Sequence, residues 1–402
     1  MTQHQKPLRA PDIRQQNERL VLNFFYDYDK VSQSEIVSLT GLKPSTVLRI
    51  FFNLEQMGDI KISEDKSKKI DRKGRKPIYY TIEPTAHYVI GLNFGARSAS
   101  LIIVDFGLTV IYENMLDLPL DSNAEQVLQN LADLIKASIR NAQIPMDKVL
   151  GIGIGAPGAV DMAQGRIINY PLIKGMADFN LQEQIESIFS IPVYIQNNCS
   201  LVARTEYRYG KGKEFGSLLL ILIETSVDAA FVNTGNNMSN QGVTALNIGH
   251  MNMGTGEKHC ICGQKGCLDT YLSEEAILSD IEEITGINSY HEIENALSYG
   301  NQKVIEALEA KGSILSRYIH NLYVLFRPQA FVIVSRLQSI SEIFSNTVQA
   351  ELEIDSSFYT LPAPAVISAP LDPVIAGRGA VDLVFDHFFN VGKQWHRPLR
   401  LS

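Results

Sequence analysis

Apolar residues near the start of the chain keep a helical period. Leu20, Val21, Phe24 and Phe25 recur at spacings of three and four, which predicts an amphipathic helix over Arg14 to Tyr26. Ser32-Gln33-Ser34-Glu35 then has the form of a capping box, in which hydroxyl and carboxylate satisfy the free amides of a helix start, and it opens a short helix through Ile36, Val37 and Leu39. Thr40-Gly41-Leu42 turns the chain. Pro44 suits the first residue of the next helix because its missing N–H would have no partner there; Val47, Ile50, Phe51 and Leu54 share one face, and Gly58 stops it. Asp59 to Ser63 and Pro77 to Ile82 read as two strands joined by a polar run. Two short helices across a glycine-containing turn, followed by a strand pair, predict a winged helix-turn-helix.

From His87 the pattern changes to apolar strands alternating with helices. Tyr88 to Asn93 and Ser100 to Asp105 are strand-like, Ala124 to Asn141 is an amphipathic helix, and Val149 to Gly158 is a buried strand that leaves into a glycine-rich turn. This alternation predicts an α/β body. The division expected is a winged helix-turn-helix over 1–82, a first α/β lobe over 83–200, a second α/β lobe over 201–380, and a C-terminal helix and tail over 381–402, where the only tryptophan, Trp395, has basic neighbours.

Charge separates the two parts further. Residues 1–80 hold 15 Lys and Arg against 10 Asp and Glu, a net of +5, whereas the remaining chain holds 21 against 34. A basic front on an acidic body points the front, and not the body, at a polyanion. The solvent-facing candidates of the second short helix are Lys43, Ser45, Thr46 and Arg49. The connecting run adds Lys66, Lys68, Lys69, Arg72, Lys73, Arg75 and Lys76, of which Lys73, Arg75 and Lys76 form an extended basic tip with Gly74 and Pro77. Such a tip can neutralise phosphates and enter a minor groove, so the expected partner is a double-stranded DNA operator. Two half-sites at fixed separation favour a symmetric homodimer or a tetramer. No stretch of about 18 uncharged apolar residues occurs and the start is polar, so cytoplasm is expected, with no membrane partner.

Three of the four cysteines, Cys260, Cys262 and Cys267, lie within eight residues, and His250 precedes them. The set His-x9-Cys-x-Cys-x4-Cys supplies four soft ligands at loop spacing, which is what a closed, structural tetrahedral zinc site needs. Cys199 stands alone, as a core cysteine does.

Three stretches carry a family resemblance: Gly151-Ile-Gly-Ile-Gly-Ala-Pro-Gly-Ala-Val-Asp161, Ile248-Gly249-His250, and Cys260-Ile-Cys-Gly-Gln-Lys-Gly-Cys-Leu-Asp269. With them the chain resembles, over nearly its whole length, the ROK-family transcriptional regulators, the Mlc-, NagC- and XylR-like repressors. The resemblance implies a two-lobed actin/hexokinase-like body with a sugar cleft between the lobes and a zinc loop beside it. Family kinases use that cleft to move phosphate from ATP to a sugar hydroxyl. Where they carry Asp-x-Gly-Gly-Thr this chain reads Asn93-Phe94-Gly95-Ala96-Arg97. The second phosphate turn, Gly-Thr-Gly-Ile-Gly, is Glu224-Thr225-Ser226-Val227-Asp228, and a further Gly-Gly is Ser335-Arg336. The Glu-Asn-Asp that supplies the catalytic base is Gln196-Asn197-Asn198, and an amide cannot take that proton. The sugar-contacting Glu-x-Gly-His is Asn247-Ile248-Gly249-His250, and the Glu after the last cysteine is Asp269.

The expectation is therefore a regulator of carbohydrate-related genes with no enzyme activity. Its cleft, lined by Asn197, Asn198, Asn247, His250 and Asp269, senses a sugar or sugar-derived effector. Three alternatives stand beside it: a ROK-type ATP-dependent sugar kinase with an accessory front domain, a regulator released by a protein partner, and an empty structural cleft.

Overall fold

The computed structural model describes residues 10–63, 77–233, 243–252, 256–355, 363–371, 373–389 and 400–401. Lys73, Arg75, Lys76 and the other basic residues of 66–72 lie outside the described residues, as does Trp395.

The N-terminal unit comprises α1 (Ala10–Tyr28), β1 (Val31–Ser32), α2 (Gln33–Thr40), α3 (Pro44–Met57), β2 (Ile60–Ile62) and β3 (Tyr79–Ile82). Its local signals act as the sequence predicts. Ser32 and Glu35 complete both halves of the capping box at α2. Gly41 and Gly58 end α2 and α3 in the left-handed conformation, at φ 69° and 79°. β1, β3 and β2 form an antiparallel three-stranded sheet in that order. The buried stripe of α1 is Val21, Leu22, Phe25 and Tyr26, rotated from the expected one, so Leu20 and Phe24 sit at its margin.

Among the described residues the body has two large sheets and a two-stranded ribbon. In the first lobe β4 (Tyr88–Phe94), β5 (Ser98–Asp105), β6 (Thr109–Asp117), α4 (Ala124–Asn141), β7 (Val149–Ala156), β8 (Ala159–Asp161), β9 (Arg166–Asn169), α5 (Leu181–Phe189) and β10 (Val193–Asn197) follow in order. α6 (Asn198–Tyr209) leads to the second lobe, where β11 (Ser217–Ile223), β12 (Val227–Asn233), β13 (Val243–Leu246), α7 (Asp269–Leu272), α8 (Glu274–Thr285), α9 (Tyr290–Ser298), α10 (Gln302–Phe326), β14 (Ala330–Ser335), α11 (Gln338–Asp355) and β15 (Ala365–Pro370) follow. α12 (Pro373–Phe389) and β16 (Arg400–Leu401) close the chain. The first sheet has the order β10-β7-β4-β5-β6-β16, the second β13-β12-β11-β14-β15, and β8 pairs with β9 in the ribbon. Parallel pairs β4·β7, β7·β10 and β11·β14 are buried on both faces, hence their runs of Val, Ile and Leu, while β15 pairs in parallel with β14 as a partly buried edge strand.

α12 returns from the second lobe to lie on the first sheet. It approaches so closely that a Cβ at Gly91 or Gly153 would strike the Gly377 or Ala380 carbonyl. On its far side Phe385 and Phe389 meet Tyr26 of α1 at ring-centroid distances of 6.4 and 5.5 Å, and the Tyr26 hydroxyl donates to the Phe106 carbonyl at 2.8 Å. Burying each ring contributes about 2 kcal/mol. Consequently the cores of the N-terminal unit and of this face of the first sheet merge into one cluster.

Candidate functional site

The cleft between the sheets holds two chambers. The first, of about 140 Å³, is lined by Asn93, Ala96, Arg97, Glu224, Asp228 and Arg336 among others. Three segments distant in sequence, each departing from a phosphate-binding motif, therefore face one another. The second chamber, of about 410 Å³, is lined by Asn197, Asn247, His250 and Asp269, with Ile261 and Cys262 at its wall. Asn198 lines the first chamber, whereas the sequence grouped it with the sugar contacts. Ser226, Asp228 and Tyr170 border both.

Helix capping explains the first asparagine of the pair. Asn197 ends β10 and caps α6: its Oδ1 accepts from the Ser200 N–H at 2.9 Å, and its Nδ2 donates to the Gly158 carbonyl at 2.8 Å. Asn198 Oδ1 accepts from the Cys199 N–H at 2.8 Å. Asn197 therefore ties the start of α6 to the glycine-rich turn after β7, using both of its amide atoms, while Asn198 has its amide nitrogen left for the cleft.

The chamber walls are acidic. Burial pushes the Glu224 carboxyl up to about 7, helped by neighbouring Glu274 and Asp228. Asp228 rises to about 6, again by burial, although the Ser226 hydroxyl donates to its Oδ2 at 2.8 Å. Asp269 is raised by burial and restrained by the Val227 N–H, which donates to its Oδ1 at 2.7 Å. A nucleotide's phosphates would meet these carboxylates where glycine backbone would otherwise cradle them.

His250, Cys260, Cys262 and Cys267 converge behind the second chamber. One ligand atom from each lies within 4.8 Å of all the others. Cys260 Sγ is 3.5 Å from His250 Nδ1, and Cys262 Sγ is 3.6 Å from Cys267 Sγ. Tetrahedral zinc with bonds of about 2.0–2.3 Å sets ligand–ligand edges of about 3.5–3.8 Å, so the cluster fits such an ion. The loop is a tight knuckle: Cys260 N–H donates to the Gln264 carbonyl and Gly263 N–H to the Cys260 carbonyl, with Gly263 and Gly266 at φ 86° and 73°. Burial and the adjacent Cys262 push the Cys267 thiol up to about 12, the state expected of thiols crowded together. Asp269 Oδ2 lies 3.7 Å from His250 Nδ1, tying the knuckle to the chamber wall.

On the N-terminal unit, Lys43, Ser45 and Arg49 are exposed and Thr46 is half-buried. Arg49 has no carboxylate partner among the described residues. Sequence reasoning missed Leu48 and Phe52, which share that solvent face at 57% and 60% exposure. Their signal was available: a helix whose buried stripe is Val47, Ile50, Phe51 and Leu54 must turn Leu48 and Phe52 outward.

α12 and α6 connect these places. Ala376 of α12 lines the first chamber, and α6 starts there with Asn198. Farther along, Arg208 Nη1 donates to Asp382 Oδ2 at 2.8 Å with both side chains at most 2% exposed, Tyr209 donates to the same carboxylate, and Arg204 pairs with Asp386. Burial, and then the neighbouring Arg208, lower Arg204 to about 9.

An actin/hexokinase-like body with a front unit bound to its back is the architecture of one protein class. The chain belongs to the ROK family, whose model matches residues 89–385. It is 25% identical to the xylose repressor of Bacillus subtilis (strain 168), over 94% of this chain and 97% of that protein. It is 23% identical to the DNA-binding transcriptional dual regulator NagC of Escherichia coli (strain K12), over 84% of each. Among solved structures, a ROK family transcriptional regulator described as a homolog of the E. coli MLC protein superposes with a TM-score of 0.73 over 94% of this chain and 98% of its own, at 19% identity. A ROK family glucokinase from Streptomyces griseus, in complex with glucose and AMPPNP, reaches 0.62 over 74% of this chain and 98% of its own, at 20% identity. The regulator's likeness thus extends over more of this chain than the kinase's. Among the described residues no helix is long and apolar enough to cross a membrane.

Proposed function

We propose that this chain is a DNA-binding transcriptional regulator, a repressor of carbohydrate-related genes, whose kinase-derived cleft senses a sugar or sugar-derived effector. The observation that carries the reading is the meeting of three altered phosphate segments, Asn93 to Arg97, Glu224 to Asp228 and Arg336, in one acidic chamber that a ROK kinase would keep for its nucleotide.

Residues 1–82 act as a winged helix-turn-helix. Lys43, Ser45, Thr46 and Arg49 of the α3 segment enter the major groove, and Lys73, Arg75 and Lys76 reach the flanking backbone or minor groove. The body, with lobes over 83–200 and 201–380, forms a homodimer that sets the half-site spacing. Zinc on His250, Cys260, Cys262 and Cys267 is structural, since four protein ligands leave no position for an activated water. Asn247, His250, Asp269 and the asparagine pair frame the effector. Release follows when the effector favours a lobe arrangement that α12 passes to α1.

The test is selection of genomic DNA fragments on the full-length protein, together with ADP release over a hexose panel. The reading expects fragments sharing an inverted repeat and no ADP release above a blank. Steady ADP production would instead support the ROK-type sugar kinase.

A further inference from the structure

The solvent side of α3 carries two large apolar side chains that the fold leaves in water. At 100° per residue, Ser45, Leu48, Arg49 and Phe52 form one stripe at i, i+3, i+4 and i+7, opposite the buried stripe of Val47, Ile50, Phe51 and Leu54. Leu48 and Phe52 are 57% and 60% exposed, whereas each member of the buried stripe is at most 2% exposed. Met57, the other large exposed apolar residue of α3, lies about 140° round the axis from Phe52 and belongs to the helix end. The flank next to Arg49 is closed by α1, where Asn53 Nδ2 donates to Glu18 Oε1 at 2.9 Å.

The polar members of the stripe decide what covers it. A protein surface laid on Leu48 and Phe52 would also bury Arg49, which has no carboxylate partner among the described residues, and an uncompensated buried guanidinium is strongly unfavourable. The two apolar side chains offer on the order of 200 Å², against about 800 Å² per partner in a stable protein interface. The major groove of DNA suits all of them at once. Its phosphates and guanine edges accept from Lys43 and Arg49, its base edges pair with the Ser45 hydroxyl, and the thymine 5-methyl group is the apolar feature it presents to Leu48 and Phe52. The first turn of α3 holds no acid, and the exposed Glu55 comes only after Phe52, which confines the reading residues to Pro44 to Phe52 and the flanking Lys43. Leu48 and Phe52 stand one helical turn apart, about 6 Å along the axis, a distance of about two base-pair steps.

We propose that Leu48 and Phe52 are specificity-determining residues of the DNA interface, each packing against the 5-methyl group of a thymine in the major groove. The proposal rests on the N-terminal unit reading an operator. Its experiment removes the methyl group alone. An operator selected from genomic fragments by the full-length protein is resynthesised with each thymine replaced singly by uracil, and fluorescence anisotropy gives the affinity of wild type, Leu48→Ala and Phe52→Ala for every duplex. Both side chains are exposed, so the substitutions spare the core of the N-terminal unit; thermal melting reports the fold of each variant, and sedimentation without DNA its oligomeric state.

Wild type should lose about fourfold in affinity at one or two thymines of each half-site when the methyl is removed, the loss expected for one buried methyl group. At each such thymine one of the two variants should bind the thymine and uracil duplexes equally, while the other keeps the fourfold difference. A wild-type protein indifferent to uracil at every position overturns the proposal and leaves the operator reading standing. A thymine preference that persists in both variants gives the methyl contact to another residue and overturns it as well. Variants that keep that preference but change oligomeric state without DNA would assign the face to a second copy of the chain. Failure of the full-length protein to select any DNA overturns the operator reading and this proposal together.

Discussion

Single side chains carry most of what separates this cleft from a kinase's. Asn198 replaces an acid and can hold a hydroxyl without taking its proton, while Glu224 and Asp228 replace glycines and bring negative charge into a chamber that would otherwise serve phosphate. These changes were legible because each falls in a short motif whose chemistry is fixed by residue type. The placement of Asn197 was not, since its Oδ1 and Nδ2 are used for helix capping and for bracing Gly158, roles set by three-dimensional proximity. On α3 the polar candidates were legible and the apolar ones were overlooked. Arg49→Ala should weaken operator binding by about 1–3 kcal/mol, and Leu48→Ala should lose discrimination at a thymine, whose methyl group is the natural apolar contact of the major groove. Fluorescence anisotropy with a melting control checks both. Unchanged affinity in Arg49→Ala would remove this helix from the interface. At the knuckle, Cys262→Ser deletes an exposed ligand with little packing cost, so metal analysis should find zinc falling well below one ion per chain and melting shifted downward. Full zinc retention would contradict a four-ligand site.

Among the elements, α2, α3 and α4 were readable because their signals are local: Ser32 with Glu35 for α2, Pro44 with Gly58 for α3, and the amphipathic period of Ala124 to Asn141 for α4. The role of α12 was not. Its segment has apolar residues almost all round, which says that the helix is buried but not between which layers. Only the fold shows Gly91 and Gly153 cleared for its backbone and its far end set against Tyr26. α6 and α12 both begin at the cleft and are joined further on by Arg208 and Asp382. Removing one partner of a buried ion pair leaves the other charge uncompensated, so Arg208→Ala should cost about 3–5 kcal/mol in urea unfolding. A loss below about 1 kcal/mol would mean that the pair is replaced by water and carries no coupling.

At the scale of the molecule, the N-terminal unit shares its core with the back of the first lobe, and one helix touches both the cleft and that shared core. The basic front and acidic body set the two parts apart in the sequence itself. How they meet depended on long-range packing, which no periodicity encodes. The measurement that bears most directly on the whole account is the affinity of the full-length protein for a genomically selected operator, titrated with D-xylose, D-glucose and N-acetylglucosamine. The account expects tight binding that falls steeply with salt and drops at least about tenfold when one of these sugars saturates the cleft. Operator affinity that no sugar changes, or the absence of any preferred DNA, would contradict it.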